Sequence, residues 1–412
     1  MLKASALYIV IIIALVIAIL SASLITTAFF YRAELQKNLR YDKLLTNMQS
    51  GTALLLSKNY DEYGKEVLIE LSDDQPDSIL LHKEQWGIYD LAWVKSYTLS
   101  DTLKKAFFIA EDFKDSTAMY LSDEDRPISV SGSTQITGDA VLPKAGIKQA
   151  YVDGRPYAGK KLVYGNIRTS QRNLPALNNE RLAYLERLLN DSTGKVLRLN
   201  DSVLNSFFNP AQIIRISSSG AALQNITLKG KIVVLCDTTL TLSCTVNLKD
   251  ILVIAPSIII EEGFNGTCQL FARDSVIAGK NTVFNYPSCI GIIKSPGSTI
   301  QAKIMLGRGS RFSGVLFNWE SSRSTLQTLI GLGKGAFVRG EIYASGYIKM
   351  EKPVTIHGKV SCNRFIIQTP ATLYENYLID IIINRNLRSK YYLSSAIFAG
   401  TKPDRKILKW LN

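Results

Sequence analysis

The N-terminal part of the chain is a long, unbroken apolar stretch. No charged residue lies between Ala4 and Tyr31. A cleaved secretory signal would be shorter and would end at a small-residue cleavage site, whereas a stretch of this length crosses a bilayer as a helix. The pattern therefore predicts an uncleaved membrane anchor. Its aliphatic side chains include Leu7, Ile9, Ile11, Ile13, Leu15, Ile17 and Leu20.

Helical spacing continues beyond the apolar stretch. Leucine and methionine residues recur three or four positions apart through a charged segment that begins at Arg32, and neither proline nor glycine occurs before Gly51. An apolar stripe with this period is typical of an amphipathic helix. We therefore expect a single helix, half in lipid and half amphipathic, over residues 1–57.

The next segment alternates in the manner of β-strands. Val67–Leu71, Ile79–His82, Trp86–Val94 and Ala106–Ala110 are apolar segments that alternation and turn residues mark as strands. They predict an antiparallel β module over residues 58–127 that packs on the amphipathic helix.

Two further regions complete the predicted order of domains. Residues 128–225 contain a first solenoid-like turn, a Gly-rich stretch and a helical pattern over Leu174–Leu189, which we interpret as a surface insertion. From residue 226 to 373, short apolar strands recur at intervals of about 19 to 27 residues, as in β-solenoids. Residues 374–412 are expected to cap one end. The predicted strands start near Ile232, Ile251, Leu270, Ile290, Val315, Ile342 and Phe365.

The predicted fold class is thus mainly β, with a long N-terminal transmembrane and amphipathic α-helix and a right-handed β-helix (solenoid) as the C-terminal domain. A single rung cannot bury its inward side chains, but stacked rungs form a continuous aliphatic core. The rung pattern resembles that of polymer-forming bactofilins.

Charge indicates the kind of partner. The 412 residues carry 48 basic and 35 acidic side chains, a net charge of +13, which suits lipid headgroups or an anionic glycan. Basic stretches with interleaved aromatic residues are missing, so nucleic acid is not an expected partner. We predict a basic face on neighbouring rungs that binds such an anionic ligand. It consists of Lys294, Lys303, Arg308, Arg311, Arg323, Lys334 and Arg339. The alternative interpretation is an ordinary solvated surface.

Candidate chemistry is sparse. Glu261 and Glu262 are the one adjacent carboxylate pair between residues 226 and 372, and neighbouring side chains of a strand face opposite ways. His82 and His357 are far apart in sequence, and the five cysteines include no CxxC pair. We read the cysteines mainly as apolar core residues, with a Cys236–Cys244 disulfide as the alternative. No catalytic residue, metal site or cofactor is predicted, and the chain is not expected to be an enzyme.

The N-terminus resembles those of minor pilins and pseudopilins. The resemblance rests on Lys3-Ala4-Ser5-Ala6-Leu7-Tyr8, on the aliphatic stretch and on Asn47-Met48-Gln49-Ser50-Gly51. The sequence departs from that pattern at Ala4, where the processing glycine would stand, and at Ile9, where glutamate is usual. The resemblance implies an exposed apolar half-helix, assembly with other envelope or pseudopilin-like proteins, and a large domain outside the bacterial cytoplasmic (inner) membrane.

The expected function is that of a single-pass, membrane-anchored, non-enzymatic envelope scaffold or minor-pseudopilin-like component that presents a solenoid for protein or glycan contact. The basic residues after the apolar stretch, such as Arg32 and Lys37, favour the opposite orientation by the positive-inside rule. A cytoplasm-facing, bactofilin-like scaffold is therefore the first alternative. A carbohydrate-active β-helix enzyme is the second.

Overall fold

A computed structural model describes residues 2–71, 77–99, 101–152, 154–191, 195–196, 202–216, 221–368, 372–398 and 404–411. Parts of the predicted insertion, around residues 192–194 and 197–201, and part of the predicted cap, at 399–403, lie outside the described residues. The described chain divides into two compact units, residues 1–83 with 92–106 and residues 84–91 with 107–412.

The structure contains two described helices and a large number of short and long strands. The helices are α1 (Leu2–Leu56) and α2 (Asn179–Leu189). The first strands are β1 (Glu66–Glu70), β2 (Asp77–Trp86), β3 (Tyr89–Thr98), β4 (Asp101–Asp112), β5 (Thr117–Leu121), β6 (Ile128–Ser131), β7 (Gln135–Thr137), β8 (Asp139–Leu142), β9 (Ile147–Gln149), β10 (Ile167–Thr169), β11 (Lys195–Val196), β12 (Val203–Asn205), β13 (Gln212–Ile216) and β14 (Ala222–Leu223). The later strands are β15 (Thr227–Gly230), β16 (Ile232–Cys236), β17 (Thr239–Leu242), β18 (Asn247–Ile260), β19 (Asn265–Ala278), β20 (Val283–Ile293), β21 (Lys303–Leu306), β22 (Arg311–Trp319), β23 (Leu329–Leu332), β24 (Phe337–Met350), β25 (Val354–Gln368), β26 (Leu373–Glu375), β27 (Tyr377–Ile379), β28 (Ile381–Asn384) and β29 (Asp404–Leu411).

The first unit combines α1 with an antiparallel sheet in the order β1-β2-β3-β4. β1 pairs with β2 in the register Glu66 to His82. The prediction of one long N-terminal helix is confirmed. The predicted single strand Trp86–Val94 is wrong, because β2 ends at Trp86 and Gly87, at φ +60°, starts a tight turn into β3.

The second unit is dominated by a closed, mainly parallel sheet that contains β5, β7, β8 and most strands from β10 to β28. In it, each segment pairs with a segment roughly one repeat further along the chain. Val234 pairs with Val253, which pairs with Leu270, and Leu270 in turn pairs with Ile290. Inward aliphatic side chains of these strands form one continuous core. The prediction that the chain is mainly β is therefore confirmed.

The order of the strands in this sheet differs from their order in the chain. β25 pairs with β5, in the register Val360 to Met119, and β5 pairs with β8. β8 pairs with β10. The strands that follow β4 therefore extend the sheet beyond β25, so the sheet cannot be completed until residues more than two hundred positions apart have met.

α2 packs on the outer face of the parallel strands, near β18 and β19. Asn178 caps its first turn by accepting hydrogen bonds from the backbone N–H groups of Glu180 and Arg181. The buried Arg181 side chain forms an ion pair with Asp90 and donates to the carbonyl oxygen of Tyr89 at 3.0 Å. The predicted helix over Leu174–Leu189 is thus found, although it begins later than the apolar spacing suggested.

Candidate functional site

The first half of α1 is the largest exposed apolar surface of the described chain. All seven predicted anchor residues lie on it, and each is between 53% and 64% exposed. The most apolar window of this helix has a mean hydropathy of 3.0 and no buried residue. By length and composition the helix can cross a membrane.

Polar side chains within the apolar half of α1 are satisfied inside the helix. The hydroxyl of Thr26 donates to the carbonyl oxygen of Ala22 at 2.7 Å, and that of Thr27 donates to Ser23 at 2.8 Å. Such i to i−4 bonds are a way of carrying threonine in a non-aqueous environment. These threonines are therefore compatible with a lipid-facing helix.

The second half of α1 is attached to the sheet of the first unit. Gly51 lies so close to it that an added Cβ would be 2.9 Å from both Leu81 and Val94 side-chain atoms. Arg40 forms an ion pair with Asp101 at 2.8 Å. One continuous helix thus passes from an exposed apolar half to a half that packs on a sheet.

The seven residues of the predicted basic face are not brought together. Arg308 and Lys334 lie exposed in two stacked turns, and Arg311 and Arg339 lie exposed on β22 and β24. Lys303 is half-buried on β21. The remaining two, Lys294 and Arg323, are engaged with other residues.

Lys294 is buried at the base of a cavity of about 310 Å³ that is lined mainly by serine, threonine and glycine. Its ammonium group donates to the Ser324 hydroxyl at 2.9 Å and to the Leu326 carbonyl at 2.7 Å. The carboxylate of Glu320 lies 3.8 Å away and accepts from Ser324 at 2.7 Å. A lysine paired in this way holds two loops together and is unsuited to a surface role.

Arg323 takes part in a network of charged side chains. It forms an ion pair with Glu124, whose other oxygen accepts from Arg364 at 2.6 Å. Arg364 also binds Glu375 at 2.7 Å. Both carboxylate oxygens of Glu124 are therefore bound by arginines.

A second cavity, of about 200 Å³, brings together two carboxylates that are far apart in sequence, Glu341 and Asp115. Glu341 is buried, accepts from Arg388 at 3.0 Å and also accepts from the Ser394 hydroxyl. Asp115 accepts from Lys359 at 2.6 Å. The aromatic rings of Phe113, Tyr343 and Phe398 form part of the wall.

The carboxyl group of Asp115 stays ionised down to low pH. Its partial burial would raise the pKa, but the neighbouring Lys359 ammonium and hydrogen bonds from Lys359 and Thr117 outweigh that effect and lower the pKa to about 2. Burial also raises the pKa of Tyr343 well above its usual value. At neutral pH this cavity therefore contains an ionised Asp115 that is already paired with Lys359 and a neutral Tyr343 phenol.

A third cavity, of about 280 Å³, is the most basic. Lys409 forms an ion pair with Asp250 at 2.6 Å, and Lys229 and Lys249 line the same cavity. Lys229 and Lys249 are register partners on β15 and β18. Trp410 is partly exposed beside them.

The cysteines are all free thiols. Cys236, Cys268, Cys289 and Cys362 are buried, and Cys244 is exposed, so the alternative of a Cys236–Cys244 disulfide is wrong. Burial raises the pKa of Cys268 and of Cys289, which keeps both thiols protonated and unreactive. Within the described residues, no cluster of three or more histidine, cysteine or acidic side chains could hold a metal ion.

Sequence reasoning missed the convergence of Asp115, Lys359 and Glu341. Their meeting depends on the pairing of β5 with β25, which joins segments from opposite ends of the sequence. Neither residue spacing nor strand period signals such a pairing.

The fold defines a mainly β protein with one long apolar N-terminal helix. No protein-family model and no curated protein sequence matches the chain. Among solved structures it is similar to the competence-associated pilin ComZ from Thermus thermophilus, with 10% sequence identity and a TM-score of 0.25, over 84% of this chain and 86% of that chain. At this TM-score the likeness carries nothing about function, which has to be argued from the chain's own residues.

Proposed function

We propose that the protein is a single-pass, membrane-anchored, pilin-like component of the bacterial envelope. In this proposal its large domain lies outside the cytoplasmic membrane and presents a right-handed β-solenoid for contact with proteins or glycans. The protein acts as a scaffold and catalyses no reaction.

The continuity of α1 carries the proposal. Its exposed apolar half is long enough to span about 30 Å of hydrocarbon. Its second half packs at Gly51 on an antiparallel sheet. A helix that is fully exposed over one half and sheet-bound over the other needs a partner for the exposed half, and lipid or the helices of related proteins supply it.

Parallel pairing at regular intervals supports the solenoid. Because Val234, Val253 and Leu270 are successive register partners and all face inward, each repeat buries its aliphatic side chains against the next. A stack of this kind is stiff and polar on its outer turns. These are the properties of a structure that holds binding surfaces away from a membrane.

We infer that the protein is not an enzyme because the carboxylates that line its cavity are already paired. Catalytic acids and bases need an unpaired oxygen directed at the substrate. In the 200 Å³ cavity Glu341 is already bound by Arg388 and Ser394, and Asp115 is bound by Lys359. If purified protein hydrolysed or eliminated an acidic polysaccharide and Glu341→Gln abolished the activity, the second alternative, a carbohydrate-active enzyme, would replace the scaffold.

Membrane anchoring is tested by placing charge in the apolar half of α1. Each arginine at the centre of a spanning helix costs about 2.5 to 3.5 kcal/mol of insertion free energy, so Ile11→Arg with Leu15→Arg should move most of the protein out of the carbonate-resistant membrane fraction. Leu35→Arg with Leu39→Arg is the matched control, because both leucines are exposed on the same helix beyond the apolar stretch. Equal fractionation of the two variants would refute the anchor.

Orientation is tested by fusions to the C-terminus. An alkaline phosphatase fusion should be active and a fluorescent-protein fusion dark if the large domain is outside the cytoplasm. The reverse result would establish the cytoplasm-facing, bactofilin-like scaffold, which the basic residues after the span favour. Membrane anchoring through α1 is compatible with either result.

A further inference from the structure

Three turns of the parallel sheet repeat one short pattern. Gly279-Lys280-Asn281, Gly307-Arg308-Gly309 and Gly333-Lys334-Gly335 each consist of glycine, a cation and a residue in the left-handed region, with φ of +55°, +69° and +75° at the third position. Asparagine and glycine are the residues that adopt this conformation most readily. The three turns therefore have the same shape.

Backbone hydrogen bonds stack these turns directly on one another. Asn281 donates to the carbonyl oxygen of Arg308 at 2.9 Å, and Gly309 donates to that of Lys334 at 3.0 Å. The stack continues where Gly335 donates to the carbonyl oxygen of Pro353 at 2.7 Å. We call Lys280, Arg308 and Lys334 the corner column.

The glycine before each cation allows neighbouring turns of the stack to approach each other closely. A Cβ at Gly307 would lie 2.4 Å from the carbonyl oxygen of Gly279, and one at Gly333 would lie 2.9 Å from the backbone nitrogen of Arg308. Neither distance is available to a real side chain. The backbone at the three cation positions is consequently spaced about 4.8 Å from one turn to the next, the spacing of hydrogen-bonded strands.

Charge in the corner column is uncompensated. Lys280, Arg308 and Lys334 are exposed, and within the described part of the chain no carboxylate oxygen lies within 4.0 Å of any of them. Elsewhere in the same unit the basic side chains of Lys294, Lys359, Arg364, Arg388 and Lys409 are all paired. Like charges in register repel each other, so a bound polyanion would relieve the column.

The column has defined ends. Glu262 occupies the turn before Lys280, next to Gly263, which donates to the Lys280 carbonyl at 3.0 Å. On the other side the equivalent position is held by Pro353, which carries no charge. Three consecutive cations are thus bounded by a carboxylate and by an uncharged residue.

We propose that the corner column binds a linear acidic polysaccharide that carries one carboxylate on each sugar, with successive carboxylates on successive turns. This deepens the proposed function, on which it rests for the position of the domain outside the membrane. A sugar ring with its glycosidic oxygen is about as long as one strand spacing, whereas each strand of duplex DNA presents one phosphate per about 3.4 Å of helix axis. The three turns also carry no aromatic ring on which a base could stack.

The test measures binding of the detergent-solubilised full chain to an oligogalacturonate long enough to span three turns. Replacing two of the three cations by Arg308→Gln with Lys334→Gln should weaken binding about tenfold or more and reduce the slope of log affinity against log salt by about 2. Arg308→Lys with Lys334→Arg keeps the charges and should bind like the wild-type protein. This pair separates loss of charge from damage to the turns.

Lys229→Gln with Lys249→Gln is the matched control, because these lysines are also exposed register partners on adjacent strands and removing them changes the net charge equally. It should leave the affinity within about twofold of the wild-type value. Unchanged binding of the Arg308/Lys334 variant, or an equal loss in the control, would overturn the site. Tighter binding of inorganic polyphosphate or of glycerol phosphate than of oligogalacturonate would overturn the ligand class. Because the assay is done in detergent solution, none of these results depends on anchoring, which fractionation tests separately.

Discussion

At the scale of single residues, Gly51 determines how closely α1 approaches the sheet of the first unit. Glycine inside a helix costs about 1 kcal/mol relative to alanine, so its presence there needs a reason. The reason is space, since a Cβ would meet Leu81, Val94 and Ile79 at 2.9 to 3.2 Å. Helix propensity favours alanine at this position and packing against the sheet favours glycine. The glycine at position 51 shows that packing has the larger effect.

We expect Gly51→Val to destabilise the first unit by about 1 to 3 kcal/mol, because the added methyl groups force the helix away from the strands. The measurement is denaturant unfolding of the detergent-solubilised protein, followed by near-ultraviolet circular dichroism. Ser50→Ala, at the neighbouring exposed position, should change stability by less than about 0.5 kcal/mol. A Gly51→Val protein as stable as the Ser50→Ala protein would mean that the close approach is not real.

Asp115 links the stability of the second unit to pH. Its pKa falls from 3.8 to about 2 in the folded chain, chiefly because Lys359 outweighs the effect of burial. A carboxyl group with a lowered folded pKa stabilises the fold above its unfolded pKa and loses that contribution as pH falls through the folded value. Asp115 should therefore contribute fully at neutral pH and progressively less between pH 3.8 and about 2.

The prediction is that Asp115→Asn lowers the free energy of unfolding at neutral pH by about 1 kcal/mol, a value reduced for partial exposure, and that the difference from wild type disappears near pH 2. Urea unfolding across this pH range measures it. Asp125→Asn removes a largely exposed pair with Arg172 and serves as the control, with little effect at any pH. A wild-type advantage that grew on acidification would contradict the proposed pairing.

At the scale of elements, the close stacking of strands explains a column of small residues. Ser288, Gly314, Gly340 and Gly358 are successive register partners on β20, β22, β24 and β25. A Cβ at Gly358 would lie 1.7 Å from the carbonyl oxygen of Gly340. Any side chain at that position has to push two hydrogen-bonded strands apart.

Gly358→Ala should accordingly cost about 3 kcal/mol or more, a large effect for one methyl group. Gly297→Ala is the comparison: the φ of Gly297 is +75°, but nothing lies within 4 Å of an added Cβ, so only backbone strain of about 1 kcal/mol is expected. Thermal unfolding of the two variants side by side checks the difference. If Gly297→Ala were the more damaging of the two, close approach would not be what selects glycine in this column.

The sequence was most informative where a pattern is local. The apolar stretch and the leucine spacing predicted α1, and the recurring aliphatic segments predicted most of the long strands. Trp86–Val94 was misjudged because strand propensity on both sides concealed the turn at Gly87. Arg308 and Lys334 were singled out for their charge, but their neighbour Lys280 was not, because the pattern that groups the three lies at turn positions and not at the starts of strands.

At the scale of the whole molecule, the order of pairing cannot be read from the sequence. The strand period shows that segments recur, but not that β5 joins β25 across more than two hundred intervening residues. Long-range pairing of this kind is selected by the fit of the inward side chains, here Met119 and Leu121 beside Val360 and Cys362. The parallel sheet therefore joins strands from late in the chain to strands from its first third.

This arrangement makes a prediction for native-state hydrogen exchange. In a stacked structure each repeat is stabilised by its two neighbours, so interior strands exchange more slowly than strands at the ends. β5 is paired on both sides, with β25 and with β8, whereas β10 is a strand of three exposed residues that pairs with β8. We expect the amides of Met119–Leu121 to be protected about as strongly as those of Val360–Cys362, and those of Ile167–Thr169 to exchange much faster. If Thr117–Leu121 exchanged at the rate of β10, the position of the early strands inside the sheet would be refuted, and with it the argument that the stack closes through contacts between distant parts of the chain.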